Sequence, residues 1–337
     1  VGLLVPLTFV AIVLSTLRNV DYEAFERATF YAHGRELPRL LSFSGQLLTA
    51  GERYTESYEE ALAGLANLVA FASEGGAPAT SSTSFVLASD LHGNSLVLPV
   101  LAEYAEGKTV FLAGDFTLLG TEAESSLAPR VGRLGSEVVA VSGNHDSRPF
   151  MLALVRAGAT VLTREGRLLP DGTADGNPVV EIDGLAVAGY DDPLEGESAR
   201  VEERPLELSD EAFAAASLEF VAWFEGLPER PDVVLVHQHG LAHALLTALA
   251  EDTEPLLILT GHDHEQHLHE EGAAVLVDGG TVGAGGPFAI GVQSVGFAEV
   301  HLTAIGDARA VDLIAVEPLS GNARASRTAL GAAAVEE

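Results

Sequence analysis

Nine side chains able to bind a divalent cation or carry a proton fall in five short segments: Asp90 and His92 in SDLHGN, Asp115 in AGDF, Asn144, His145 and Asp146 in GNHD, His237 in VLVHQH, and His262 and His264 in GHDH. Carboxylate, imidazole and amide oxygen are the donors that hard and borderline divalent ions favour, and two cations side by side need a carboxylate between them. The sequence contains no cysteine, so disulfides, thiolate metal sites and cysteine nucleophiles are excluded and nitrogen and oxygen must supply any ligands. A single histidine after a strand is more often a satisfied polar residue than a ligand. The signal lies in the set and its order.

In that order the segments resemble the pattern of the calcineurin-like metallophosphoesterase superfamily, which runs D-x-H, G-D, G-N-H-[DE], H and G-H-x-H. The resemblance covers about Phe85 to Leu319. It implies that Asp90, His92, Asp115 and His264 hold a first metal, that Asp115, Asn144, His237 and His262 hold a second, and that Asp115 bridges them. It also implies that His145 stabilises the transition state or protonates the leaving oxygen, with Asp146 orienting its imidazole. Mn, Fe, Zn or Co would suit such donors.

The implied activity is hydrolysis of a phosphate ester, a phosphodiester in preference, by a hydroxide bridging two metals. The alternatives are a phosphomonoesterase and a non-catalytic binding scaffold of the same fold; loss of ligands would mark the scaffold, and here every ligand type is present. Gly93 after His92 is reminiscent of the protein-phosphatase branch, but GDFTLLG lacks that branch's phosphate-gripping arginine and Asp146 stands where it has glutamate. The nearer resemblance is to bacterial phosphodiesterase-like members with GNHD.

Positioning these groups requires strands that end at one place. Short apolar runs at Phe85–Ala88, Thr109–Ala113, Glu137–Val141, Leu185–Ala188, Val233–Val236 and Leu256–Leu259 alternate with helical stretches, and the segments above follow such runs. Beyond His264 the pattern turns strand-rich, through Val275–Val277, Val295–Leu302 and Ala310–Val316. The fold implied by the resemblance agrees: an α/β, four-layer α/β/β/α sandwich of two mixed β-sheets flanked by helices. His267 and His269 alternate as on one exposed strand face, while His239 and His243 are expected in surface or supporting roles. Asp191 and Asp192 read as part of a turn with Pro193.

Around that domain (84–319), residues 1–18 form an apolar segment, 19–83 a helical region and linker, and 320–337 an Ala-rich tail expected to fray. Val1–Leu17 carries no charge and as a helix would extend about 25 Å, slightly less than a hydrocarbon core of about 30 Å. It is expected to be a membrane anchor extending upstream of Val1, with a cleaved signal segment or a buried helix as the alternatives, and the arginines at 18, 27, 35 and 39 favour a cytoplasmic catalytic domain. Tyr54–Ser73 carries helical periodicity and Ser73–Ser84 reads as a flexible connection.

Eighteen basic residues against forty-nine acidic ones give a formal charge of -31, which repels nucleic acid and favours a small phosphate-ester substrate.

Overall fold

The computed structural model describes residues 83–330, apart from 96, 197–206, 284, 287–294, 304–305 and 317–322. The expected apolar helix at 1–17, the 54–73 helix and the linker lie outside the described residues. Among those described, no helix is long and apolar enough to cross a membrane.

The first strand, β1 (Ser84–Ala88), shows how the layers arise. It is buried on both faces, so its residues alternate between two cores instead of between core and solvent. Val86 and Ala88 pack outward beneath α1 (Leu98–Tyr104), α2 (Ala128–Val131) and α3 (Arg148–Arg156), beside Leu98, Leu101, Phe150 and Leu154. Phe85 and Leu87 point the other way, into a core between two sheets. Each fully buried Leu, Val or Phe there contributes roughly 1.5–3 kcal/mol.

The first sheet has eight strands, in the order β14-β13-β12-β1-β2-β3-β4-β5. Parallel pairs join β1 to β2 (Thr109–Leu112), β2 to β3 (Glu137–Ala140) and β3 to β4 (Thr160–Thr163), with β5 (Gly166–Arg167) antiparallel at one edge. On the other side of β1 come antiparallel β12 (Val295–Leu302), β13 (Ala308–Val316) and β14 (Ala323–Ala329).

The second sheet, six strands in the order β10-β11-β9-β8-β7-β6, uses β6 (Val179–Ile182), β7 (Leu185–Tyr190), β8 (Val233–Gln238), β9 (Leu256–Gly261), β10 (Gln266–Glu271) and β11 (Ala274–Gly279). Val187, Leu235, Leu259 and Val277 meet the first sheet, while Val234, Val236, Ile258 and Leu276 face α4 (Asp210–Glu225) and α5 (His239–Ala248) through Phe220, Leu241 and Leu245. Ser209 caps α4 by accepting a hydrogen bond from Ala212 N–H at 3.3 Å. The result is an α/β fold of two mixed sheets with helices outside.

The segment expected to fray corrects the reading from composition: Ala323–Ala329 form β14. Its register sets Arg327 opposite Asp312, and the guanidinium meets both carboxylate oxygens, at 2.7 and 2.5 Å. A bidentate cross-strand pair of this kind holds an edge that alanine content would not.

Candidate metal centre

The motif segments follow the carboxyl ends of β1, β2, β3, β8 and β9, from both sheets, at one mouth of the sandwich. Asp90 and His92 follow β1, Asp115 follows β2, Asn144 follows β3, His237 ends β8, and His262 and His264 follow β9. Tight backbone geometry accompanies this convergence. Asp90, His92, Asp115, His262 and His264 all have positive φ, between 45° and 87°, conformations that cost non-glycine residues energy and persist where surroundings impose them. Glycines make room: a Cβ on Gly143 would stand 2.1 Å from Asp115 Oδ1, and one on Gly261 2.7 Å from Asp90 Oδ2.

The side chains form two adjoining sets of donors. In the first, His92 Nε2 lies 2.9 Å from His264 Nε2 and 3.5 Å from Asp90 Oδ1, and His264 Nε2 lies 3.4 Å from that same oxygen. In the second, His237 Nε2 lies 2.8 Å from Asn144 Oδ1 and 3.3 Å from His262 Nδ1, with Asn144 Oδ1 3.2 Å from His262 Nδ1. Asp115 Oδ2 stands between them, 3.7 Å from His92 Nε2 and 3.4 Å from His237 Nε2.

Backbone groups set which atoms face inward. His262 N–H donates to Asp90 Oδ2 at 3.0 Å, leaving Oδ1 buried without a hydrogen-bond partner. His145 N–H donates to Asp115 Oδ1 at 2.9 Å, leaving Oδ2 to face the imidazoles. His237 Nδ1 sits 2.6 Å from the Ala113 carbonyl; only N–H can donate there, so in the neutral ring Nε2 carries the lone pair.

The electrostatics follow from this packing. Burial alone would raise the Asp115 carboxyl, but His237 and His92 beside it hold it down at about 2. Asp90 is likewise held below the usual range, against its burial, by His264 and His92. His237 moves up despite burial because Asp115 and Asp90 face it, whereas burial and the neighbouring His237 push His262 down to about 4.

The donor set fits divalent cations. Atoms ligating one ion at about 2.1 Å are roughly 3.0–3.4 Å apart, close to most of the separations found. Two imidazole nitrogens turned on one another and an orphaned buried carboxylate oxygen are costly without a cation to share.

His145 stands at the rim, its ring 4.9 Å from that of His92 and at 88° to it. Its Nδ1 meets the Leu118 carbonyl at 2.8 Å. Asp146, expected beside this ring, accepts from the N–H groups of Phe116, Thr117 and Gly143 at 2.9, 3.0 and 2.9 Å, tying the loop after β2 to the loop after β3. The physical reason is demand: three buried N–H groups need an acceptor, and a fully buried carboxylate is within their reach. Asp191 and Asp192 shape the expected turn, Asp191 holding Arg164 at 3.1 Å and Asp192 accepting from Leu194 N–H at 2.7 Å and Gln238 Nε2 at 2.9 Å.

Residues 84–300 match the family model described as the calcineurin-like phosphoesterase superfamily domain. The chain belongs to that superfamily. As a calcineurin-like phosphoesterase it is a metal-dependent hydrolase of phosphate esters. Among solved structures it is similar to vacuolar protein sorting 29 from Cryptosporidium parvum, at 14% identity over 74% of this chain and 98% of that one, with a TM-score of 0.34. It is similar also to Thermus thermophilus sulfate thiohydrolase SoxB, at 15% identity over 74% of this chain and 59% of that one, TM-score 0.42. An archaeal phosphodiesterase shares 16% identity over 69% of this calcineurin-like chain and 100% of its own, TM-score 0.35. No curated protein sequence matches.

Three contributors to the site had no sequence signal. The carbonyls of Ala113 and Leu118 act through backbone, which side-chain motifs do not report. Gly283 is the third; a Cβ there would lie 2.6 Å from the Asp90 carbonyl oxygen, a closeness visible only once β1 and the segment after β11 are side by side.

Proposed function

We propose that this phosphoesterase hydrolyses a phosphodiester with two divalent cations held side by side. The observation that carries the reading is the position of Asp115 Oδ2 between two sets of donors, 3.7 Å from His92 Nε2 and 3.4 Å from His237 Nε2. In this reading Asp90, His92, Asp115 and His264 hold one ion, and Asp115, Asn144, His237 and His262 hold the other. Mn, Fe, Zn and Co all suit such donors. When bound, the pair supplies Lewis acidity toward phosphoryl oxygen and acidifies water near neutral pH.

The chain's own residues do the rest. Asp115, with Oδ1 pinned by His145 N–H, keeps Oδ2 available to both ions and offsets their mutual repulsion. His145, as the imidazolium with Nδ1–H on the Leu118 carbonyl, would present Nε2–H to the substrate and pass that proton to the leaving oxygen, becoming the neutral imidazole.

Preference for a diester is supported by the sparse cationic surroundings among the described residues. A diester carries one negative charge, a monoester close to two, so a monoesterase gains more from an arginine clamp. GDFTLLG contains none, and Arg148, just after GNHD, turns to the Gly172 carbonyl at 2.9 Å and to Glu195 at 3.7 Å.

The test is turnover of bis(p-nitrophenyl) phosphate and p-nitrophenyl phosphate by metal-stripped protein resupplied with Mn and, in parallel, with Fe, Zn or Co. The reading expects Mn-dependent turnover with the diester faster. Faster monoester turnover would overturn the preference, and absence of turnover with any of the four metals would overturn the hydrolytic reading.

A further inference from the structure

Behind the turn that carries His262 and His264, a second group of imidazoles gathers where the hydrolytic site makes no use of them. His239 and His243 lie four residues apart on α5, and His267 and His269 two apart on β10. These are the spacings that set two side chains on one face of a helix and of a strand. The two faces meet. The ring of His239 lies 4.7 Å from that of His267 and 6.4 Å from that of His269, and His243 lies 5.9 Å from His269.

Two carboxylates complete the group. Asp263 Oδ2 is 2.9 Å from His267 Nε2 and 3.7 Å from His239 Nδ1, while its Oδ1 accepts Glu265 N–H at 3.0 Å. Asp278, fully buried and opposite His267 in the β10–β11 register, has Oδ2 3.2 Å from His239 Nδ1 and Oδ1 on Gly280 N–H at 2.8 Å. This is the arrangement seen at Asp90 and Asp115: one oxygen pinned by a backbone N–H, the other turned to imidazole. The ring spacing agrees too, since the imidazole pairs of the hydrolytic site stand 4.9 and 5.1 Å apart. Two imidazoles on one ion at about 2.1 Å have centroids roughly 4.5–5.5 Å apart.

We propose that His239, Asp263 and His267, with Asp278 as a further donor, form an additional divalent-metal site, separate from the pair at Asp115. The donor atoms of His239, Asp263 and His267 lie within 4.8 Å of one another. Imidazole with carboxylate selects a borderline ion such as zinc over magnesium or calcium. The side chains of His239, Asp263 and His267 are 16%, 33% and 27% exposed, enough for exchange with solution, and the charge of -31 attracts cations. Because Asp263 lies between His262 and His264 in the chain, an ion here clamps the turn that presents both to the hydrolytic site. The role is positioning; no reacting atom is touched.

The test is zinc binding by the full chain, read by equilibrium dialysis with metal analysis. The hydrolytic site is disabled with His92→Ala, Asp115→Asn and His237→Ala, so the result stands whether or not the paired-ion reading holds. That chain is expected to bind zinc still, and adding His267→Gln, a part-exposed strand position, is expected to weaken the binding at least about tenfold. Asp263→Asn provides a second variant, and circular dichroism verifies folding in each. Undetectable zinc in the chain with His267 intact, or equal affinity with and without His267→Gln and Asp263→Asn, would overturn the proposal and leave the cluster an ion-pair network.

Discussion

The main-chain N–H of His145 donates to Asp115 Oδ1 at 2.9 Å, so the residue proposed to face the substrate also fixes which oxygen of Asp115 faces the metal donors. In the proposed mechanism the GNHD segment thus supplies Asn144 as a donor and His145 as a proton carrier, and its backbone clamps Asp115. Substitutions along it should separate by what they disturb.

Asp115→Asn replaces the shared carboxylate by a neutral amide. The ions of the paired site should be lost on gel filtration in metal-free buffer, leaving no more metal than the His239, Asp263 and His267 group retains, with turnover lost by roughly 10² or more, as expected when metal activation of water is removed. Metal analysis alongside rate measurement checks this; full metal content in the variant would contradict it.

His145→Ala leaves every proposed ligand in place. Metal content should equal that of the wild type while turnover falls roughly 10²–10⁴, the range for a positioned acid. The loss should be smaller for a diester with a good leaving group, which needs less protonation. Equal losses across leaving groups would count against proton delivery by Nε2.

Asp146→Ala strands three buried N–H groups, on Phe116, Thr117 and Gly143. Each unsatisfied donor costs about 1–3 kcal/mol, so urea denaturation should show a stability loss of about 3 kcal/mol or more. Had Asp146 served chiefly to orient the His145 ring, the loss would appear in turnover with little change in the urea midpoint.

Asp312 provides a pH test away from the metal site. Burial alone would raise its carboxyl, but hydrogen bonds from Arg327 and His301 outweigh burial and bring it from 3.8 to about 2. A lowered folded-state value means stability that is fully present above 3.8 and lost as pH falls toward 2. At a sheet edge, screening limits this to about 1 kcal/mol. Asp312→Asn should therefore have a lower urea midpoint than wild type at pH 7, with the gap closing as pH falls below 4; a gap that widens on acidification would contradict the assignment.

The ligand types and their order are legible in the sequence because metal chemistry demands particular side chains, and because a strand followed by a short loop confines each of them. Asp90, Asp115 and His237 stand out for that reason, and alternation between apolar runs and helical stretches announces an α/β fold. Strands β4, β5 and β6 were not anticipated; Gly166–Arg167 is too short to show a period, and Val179–Ile182 follows a Gly- and Asp-rich stretch that reads as loop. β14 was hidden by its alanines, since its pairing depends on the edge that β13 presents.

From the sequence alone came the donors, their order and the exclusion of sulfur chemistry, all properties of side-chain type and local spacing. Tertiary structure decided that Asp115 Oδ2 faces both sets, that Asp146 braces two loops and that His239 meets His267. Each of these depends on groups 23 or more residues apart, brought together by strand register and backbone hydrogen bonds that local spacing does not encode.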